Sequence, residues 1–173
     1  MTNFEQTLLT GDELLASQRV ESSHFTAAIA VIATKSGTCK VTEVNIDGPT
    51  TAYVRFEDAT DAVPTMSALV NQVVMMLAGA ARVEEERLNR FADPRTMQRA
   101  LMLCRRIAEN NDPSQESLPS RSMAYLQQCM AESRRLVKQF KPSIDKVAEQ
   151  LRQHGTVTGD TLREMLSSES VAA

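Results

Sequence analysis

The sequence predicts a mainly α-helical fold with a small β-hairpin or short sheet. In most segments the apolar residues recur every three or four positions, which is the period of a helix. Two short stretches alternate instead, and they flank Asp47-Gly48-Pro49, a combination typical of turns. Tryptophan is absent, and Ala, Leu, Met and Val supply most of the apolar side chains. These observations favour packed helices beside a minor β element.

The first half of the chain divides into a helix, two strands and a second helix. A weak helix at 3–9 precedes a helix, or a helix pair, that Asp12 can cap and that runs to about Thr34, with Gly37 as its stop. The strands contain Val41 to Ile46 and Ala52 to Phe56. A helix after 64–65 carries its apolar face at three- and four-residue steps, ends in the charge run 84–87 and contains Gly79, which implies close packing against another backbone.

The sequence of the second half of the chain predicts three more helical regions. One opens at Asp93-Pro94, and the polar segment 110–119 (NNDPSQESLP) is expected to be a flexible loop. The region from Ser120 to about His154 carries a heptad-like apolar stripe over 123–151, and Pro142 should kink or divide it. This stripe predicts either an intramolecular helical hairpin or an intermolecular coiled coil. Gly155 ends the region, and a last short helix is expected at 160–166.

Length and composition restrict the class of protein. The 173 residues predict one domain over 1–173, with a core of about 15–168 and a frayed tail at 169–173. The net charge of −3 argues against nucleic acid as a partner. The apolar runs at 27–33 and 73–81 are too short for a membrane span of ~20 residues. Three scattered cysteines indicate reduced thiols and a cytoplasmic location.

Several segments resemble, in the same order, the peptidase domain of FtsH-type ATP-dependent zinc metalloproteases. The matching stretches are 27–32 (AAIAVI), the strand 44–46, the helix 69–85 (LVNQVVMMLAGAARVEE), the helix around 98–106 and the closing segment 159–166 (GDTLREML). The resemblance covers about residues 15–168. It implies an FtsH-peptidase-like helical domain in a bacterial cytoplasmic protein.

The residues of the zinc site in that family are mostly replaced here. The family's His-Glu-x-x-His window falls on residues 24–28, where His24 is retained, Phe25 replaces the glutamate and Ala28 replaces the second histidine. The third-ligand position falls on Thr96. A catalytic zinc needs three protein ligands and a base for its water, and Phe25 and Ala28 have no side-chain donor atom. We therefore expect a vestigial site without zinc or another cofactor.

The resemblance together with this loss predicts a catalytically inactive protein, a pseudoenzyme that binds a protein or peptide and has a regulatory role. An edge strand within 41–56 could add an extended peptide. The family assembles as hexameric rings beside an ATPase module, so a homo-oligomer or association with such a ring is expected by resemblance. Two alternatives stay open. One is a divergent metalloendopeptidase with Glu21, His24 and Asp93 as ligands, and the other is a helical module that oligomerises through 123–151.

Overall fold

A computed structural model describes residues 11–37, 39–47, 52–57, 64–85, 94–112 and 117–167. Within these ranges the chain forms six helices and one three-stranded antiparallel sheet, which confirms the predicted mainly helical class. Several predictions lie outside the described residues. They are the weak helix at 3–9, the Gly48-Pro49 part of the turn, Asp93 and the tail at 169–173.

The first half contains two long helices and two strands. Helix α1 spans Gly11–Ser36 without a break, so of the two predicted alternatives, one helix or a helix pair, the single helix forms. Gly37 follows it with a φ of +63°, the left-handed conformation expected at a helix stop. Strands β1 (Val41–Asn45) and β2 (Tyr53–Phe56) come next, followed by helix α2 (Met66–Glu85). The Thr65 hydroxyl accepts the N–H of Ala68 at 3.2 Å, which satisfies a donor in the first turn of α2.

The later helices are longer than the sequence predicted. Helix α3 spans Pro94–Asn111 and helix α4 spans Leu118–Gln139, so the expected loop at 110–119 is too wide at both ends. Two contacts join the C-terminal end of α3 to the first half of α4. The Asn111 amide donates to the Tyr125 hydroxyl at 2.6 Å, and Arg121 pairs with Asp112 at 2.9 Å. Helix α5 (Lys141–His154) starts after Phe140, with Pro142 in its first turn where proline costs no hydrogen bond.

The sheet contains one strand that the sequence did not predict. Strand β3 (Thr156–Thr158) pairs with β1, so the strand order is β2-β1-β3. Three residues are too few for an alternating pattern, and the sequence showed only the helix stop at Gly155 there. At the start of helix α6 (Gly159–Ser167), Thr158 Oγ1 accepts the N–H of Thr161 at 3.3 Å and caps the helix.

Apolar side chains form two clusters. Among the described residues, the first joins α1, the sheet, α5 and α6, and the second contains α3, with α2 and α4 contributing to both. Helix α2 is long and apolar enough to cross a membrane by length and composition alone, and 56% of its apolar window is buried inside the fold.

The predicted stripe at 123–151 lies almost entirely inside the molecule. On α4, Leu126 and Met130 pack in the second cluster and Val137 packs in the first, and the members on α5 pack against α1. The stripe is therefore buried against several helices and does not pair α4 with α5 as a hairpin. Met123 alone among its apolar members is clearly exposed, at 45%. The buried members are Leu126, Ser133, Val137, Ile144, Val147 and Leu151.

Candidate functional site

The retained histidine of the predicted vestigial site lies in the middle of α1 and faces α5. Its side chain is 13% exposed. Nε2 of His24 lies 3.2 Å from Nη1 of Arg152, and Nδ1 lies 3.7 Å from Oδ1 of Asp145. A guanidinium has no acceptor, so Arg152 donates and Nε2 accepts. The imidazole is therefore held between a cation on one side and a carboxylate on the other.

A buried arginine stands beside this histidine. Arg82 of α2 is 1% exposed, and its Nη2 atom donates to Oδ1 of Asp145 at 2.5 Å. Its Nη1 atom donates to Glu85 at 3.2 Å. The other oxygen of Asp145 lies 3.8 Å from Nζ of Lys141. Asp145 thus links α5 to α2 through a charge-assisted hydrogen bond to Arg82, which is stronger than a neutral hydrogen bond. Its longer contact to His24 brings α1 to the same carboxylate.

Sequence reasoning found His24 but missed the charged residues around it. One signal was present: Arg82 stands between Ala81 and Val83 in an otherwise apolar run, on a face that helical spacing assigns to the core. A buried arginine requires a carboxylate partner. Nothing in the sequence indicated that this partner is Asp145, which lies 63 residues further along the chain.

Phe25 and Ala28, which stand where the resemblance expects a glutamate and a histidine, both pack inside the fold. The Phe25 ring lies against Gly79 of α2, so close that a Cβ on Gly79 would stand 2.7 Å from ring carbons. Ala28 is fully buried in the first apolar cluster. The mid-helix glycine therefore admits a side chain of α1, whereas the sequence predicted the approach of another backbone.

The remaining predicted ligands do not gather around His24 in the described residues. Thr96 is half-buried in the first turn of α3, which packs on α2 and α4, whereas His24 contacts α5. Glu21 lies on α1 one turn before His24 and is half-buried. Within the described ranges no three His, Cys, Asp or Glu side chains are grouped closely enough to hold a metal ion. The alternative set of Glu21, His24 and Asp93 stays a prediction, because Asp93 lies outside those ranges.

The residues at this position do not fit a catalytic zinc ion. Nε2 of His24 already accepts from the Arg152 guanidinium, whose positive charge opposes a divalent cation there. Ala28 offers no donor atom, and the aromatic ring of Phe25 cannot accept a proton from water. Comparison with protein-family models and with curated proteins finds no match to this chain. Its likeness to the FtsH-type peptidase domain therefore stays a prediction.

The second candidate site is the outer edge of the sheet, formed by β2. The N–H of Glu57 donates to the carbonyl of Lys40 at 2.9 Å, and the Thr42 hydroxyl donates to the carbonyl of Arg55 at 3.2 Å. Because main-chain groups in a strand point alternately to its two sides, those of Val54 and Phe56 point away from β1. Among the described residues, β2 has a strand neighbour on one side only. These main-chain groups are where an added strand would bind.

Polar contacts order the solvent face of this edge. The Tyr53 hydroxyl donates to Glu43 at 2.5 Å, and Arg55 pairs with the other oxygen of Glu43 at 3.0 Å. The Arg55 guanidinium also lies 5.3 Å from the centroid of the Tyr53 ring, a cation–π contact. The hydrogen bond to Glu43 raises the pKa of Tyr53 above its ordinary value. These side-chain contacts hold β2 against β1 in the chain by itself.

Proposed function

We propose that this chain is a non-catalytic binding protein with a regulatory role on a peptidase-like helical scaffold, and that its ligand is an extended peptide segment of another protein. The observation that carries the proposal is the environment of His24. The imidazole is hydrogen-bonded to Arg152 and lies beside Asp145 and the buried Arg82. This engagement supports a role of His24 in packing and charge balance, in agreement with a binding function.

The edge strand β2 supplies the binding mode. An incoming peptide would extend the sheet through the main-chain groups of Val54 and Phe56. Main-chain hydrogen bonds need no metal and no catalytic residue, in agreement with the altered positions 25 and 28. The free thiols support a cytoplasmic location. By resemblance, the same scaffold is proposed to associate with an FtsH-like ATPase ring or with copies of itself.

The first test asks whether the protein holds a metal. Purified protein is analysed for zinc per chain and incubated with casein, with and without a chelator. We expect no stoichiometric zinc, no cleavage and an unchanged unfolding midpoint in chelator. Stoichiometric zinc that the chelator removes together with casein cleavage would favour the divergent metalloendopeptidase and end the proposal.

The second test asks whether β2 receives the peptide. Peptides are selected from a random library displayed on phage, and their affinities are measured by fluorescence anisotropy. Val54→Pro removes one outward N–H but keeps the pairing with β1, a position at which edge strands tolerate proline. We expect Val54→Pro to weaken binding by about tenfold or more. The matched variant Val54→Ala loses more of the side chain but keeps the N–H, and it should bind like the parent. Equal binding by the parent and Val54→Pro would refute the edge-strand mode.

A further inference from the structure

Helix α3 has a basic face on the side that is not packed against the rest of the fold, and this face is separate from the β2 edge. Its inner side consists of Ala100, Cys104, Ile107 and Ala108, all buried against α2 and α4. The opposite side presents exposed residues at steps of four, three and four. Three of them are arginines, and the fourth is a methionine. They are Arg95, Arg99, Met102 and Arg106, and we call them the α3 stripe.

Two arginines of the α3 stripe have no ion pair within the described part of the chain. They are Arg99 and Arg106, both exposed. Glu109 is the one acidic residue of α3, and it pairs with Arg105 at 3.0 Å. The whole chain carries a net charge of −3, so this concentration of positive charge is local. Arg99 and Arg106 therefore present to solvent two positive charges that no described residue neutralises.

The centre of the α3 stripe is apolar. Met102 is 66% exposed and the adjacent Leu101 is 36% exposed, two of the five large apolar side chains exposed among the described residues. Flexible methionine side chains adapt to varied apolar surfaces and are frequent where proteins recognise helices. An apolar contact bordered by arginines is typical of a protein interface, in which arginine and methionine are enriched.

We propose that the α3 stripe docks an acidic amphipathic helix of a partner protein. Arg99 and Arg106 lie two turns apart, about 10.5 Å along the axis. A partner helix with carboxylates seven residues apart and an apolar side chain between them matches both charges and Met102. This surface lies on a different element from β2, so the proposal stands whether or not β2 binds a peptide.

The other polyanions fit the stripe less well. A nucleic acid is a long line of negative charge, and the chain's net charge of −3 opposes its approach. A helix that lies in an anionic membrane turns its large apolar face toward the lipid. In α3 that face is buried against α2 and α4, which leaves only Leu101 and Met102 outside. A short acidic helix satisfies the stripe without either conflict.

The test uses the full chain and a fluorescein-labelled helical peptide that carries glutamates seven residues apart with a leucine between them. We expect binding that weakens as salt rises, since the contacts are exposed ion pairs. The double variant Arg99→Glu/Arg106→Glu should lose about tenfold or more in affinity. Lys138→Glu, a reversal of an exposed basic residue on α4, is the matched control and should bind like the parent. A peptide with lysines in place of the glutamates should bind the double variant better than it binds the parent.

Several results would overturn the proposal. They are absence of binding at low salt, an unchanged affinity in the double variant, and equal binding of a peptide with the same residues in scrambled positions. Stronger binding to vesicles of phosphatidylserine and phosphatidylcholine, lost in the double variant, would reassign the stripe to lipid. Circular dichroism of each variant verifies that the fold is retained.

Discussion

At the scale of single residues, the buried guanidinium of Arg82 sets the position of the surrounding charged groups. Its side chain is 1% exposed, and it is paired with Asp145 and Glu85. An ionised group removed from water costs several kcal/mol unless a partner of opposite charge remains close. The contact between Nη2 of Arg82 and Oδ1 of Asp145 therefore links α2 to α5.

Removal of Asp145 should destabilise the fold. Asp145→Ala removes a carboxylate that the buried Arg82 guanidinium contacts at 2.5 Å, and we expect a loss of about 2 kcal/mol in the free energy of unfolding. The estimate lies below the usual range for a broken buried pair because Asp145 itself is 42% exposed. Urea denaturation monitored by circular dichroism measures the change.

The control for this substitution is one turn further along α5. Glu149→Ala removes an exposed carboxylate that pairs with Arg152 at the surface, and it should cause a clearly smaller loss. Equal losses in the two variants would show that the burial of Arg82 does not depend on Asp145.

The candidate site was only partly predictable at this scale. His24 was recognisable from the window 24–28, because an i to i+4 relation on one helix is local. Its contact with Arg152 was not, because 128 residues separate the two in sequence. Arg82 could be suspected from its place in an apolar run, yet its partner could not be identified.

At the scale of elements, the contact between α1 and α2 depends on Gly79. Glycine inside a helix costs about 1 kcal/mol relative to alanine, so helix propensity alone favours replacement. The Phe25 ring occupies the space next to the Gly79 Cα, and an added Cβ would come within 2.7 Å of it. The packing of α1 on α2 explains why a helix-breaking residue is found at this position.

Gly79→Ala should therefore destabilise the protein despite its better helix propensity. Overpacking of this kind costs about 1–3 kcal/mol, which outweighs the propensity gain. Thermal unfolding followed by circular dichroism should give a lower midpoint than the parent. In a Phe25→Leu background the same change should cost less, since a smaller side chain can yield, and a double-mutant cycle measures the coupling. A neutral or raised midpoint for Gly79→Ala alone would contradict the packing argument.

Element boundaries were predicted unevenly. Helix stops at Gly37 and Gly155 were readable because their positive φ angles, +63° and +76°, favour glycine. Strand β3 was not readable, since its three residues gain their structure from pairing with β1. The ends of α3 and α4 extend into the predicted loop because contacts between the helices stabilise them, and no local signal encodes such contacts.

At the scale of the whole molecule, the two apolar clusters divide the long stripe at 123–151 between them. Leu126 belongs to the second cluster, whereas Val137, near the end of α4, and the α5 members belong to the first. The α5 members are Ile144, Val147 and Leu151. The residues at heptad-like spacing therefore pack against other helices of the same chain. An intermolecular coiled coil through the same residues would require this core to open.

The reactivity of the three cysteines can be used to measure how well this core is packed. Cys104 and Cys129 are buried in the second cluster, whereas Cys39 is half-buried beside the first. The hydrogen bond with Cys129 and burial raise the pKa of Cys104, and the same hydrogen bond lowers the pKa of Cys129. Burial raises the pKa of Cys39. Since the thiolate is the reactive form, a raised pKa slows the reaction of Cys39 and Cys104 at neutral pH, whereas burial in the second cluster shields Cys129 from a reagent.

A thiol reagent such as dithionitrobenzoate should therefore distinguish the three sites. We expect the native protein to react first and slowly at Cys39, and at Cys104 and Cys129 only as fast as the core opens. Denaturant should make all three react together, and Cys39→Ser should abolish the early phase. Fast reaction at Cys104 in the native state would mean that the second cluster is open in solution.

The sequence by itself determined the helical class, most helix positions and the absence of donor atoms at residues 25 and 28. These properties depend on local periodicity and on side-chain chemistry, which short stretches of sequence contain. Only the tertiary structure decided that Arg152 and Asp145 flank His24, that Phe25 rests on Gly79, that β3 completes the sheet and that Arg99 and Arg106 face solvent together. The first three arrangements bring together residues that are distant in sequence, and the last leaves two arginines outside the core. All four depend on how the helices pack, which no short stretch of sequence encodes.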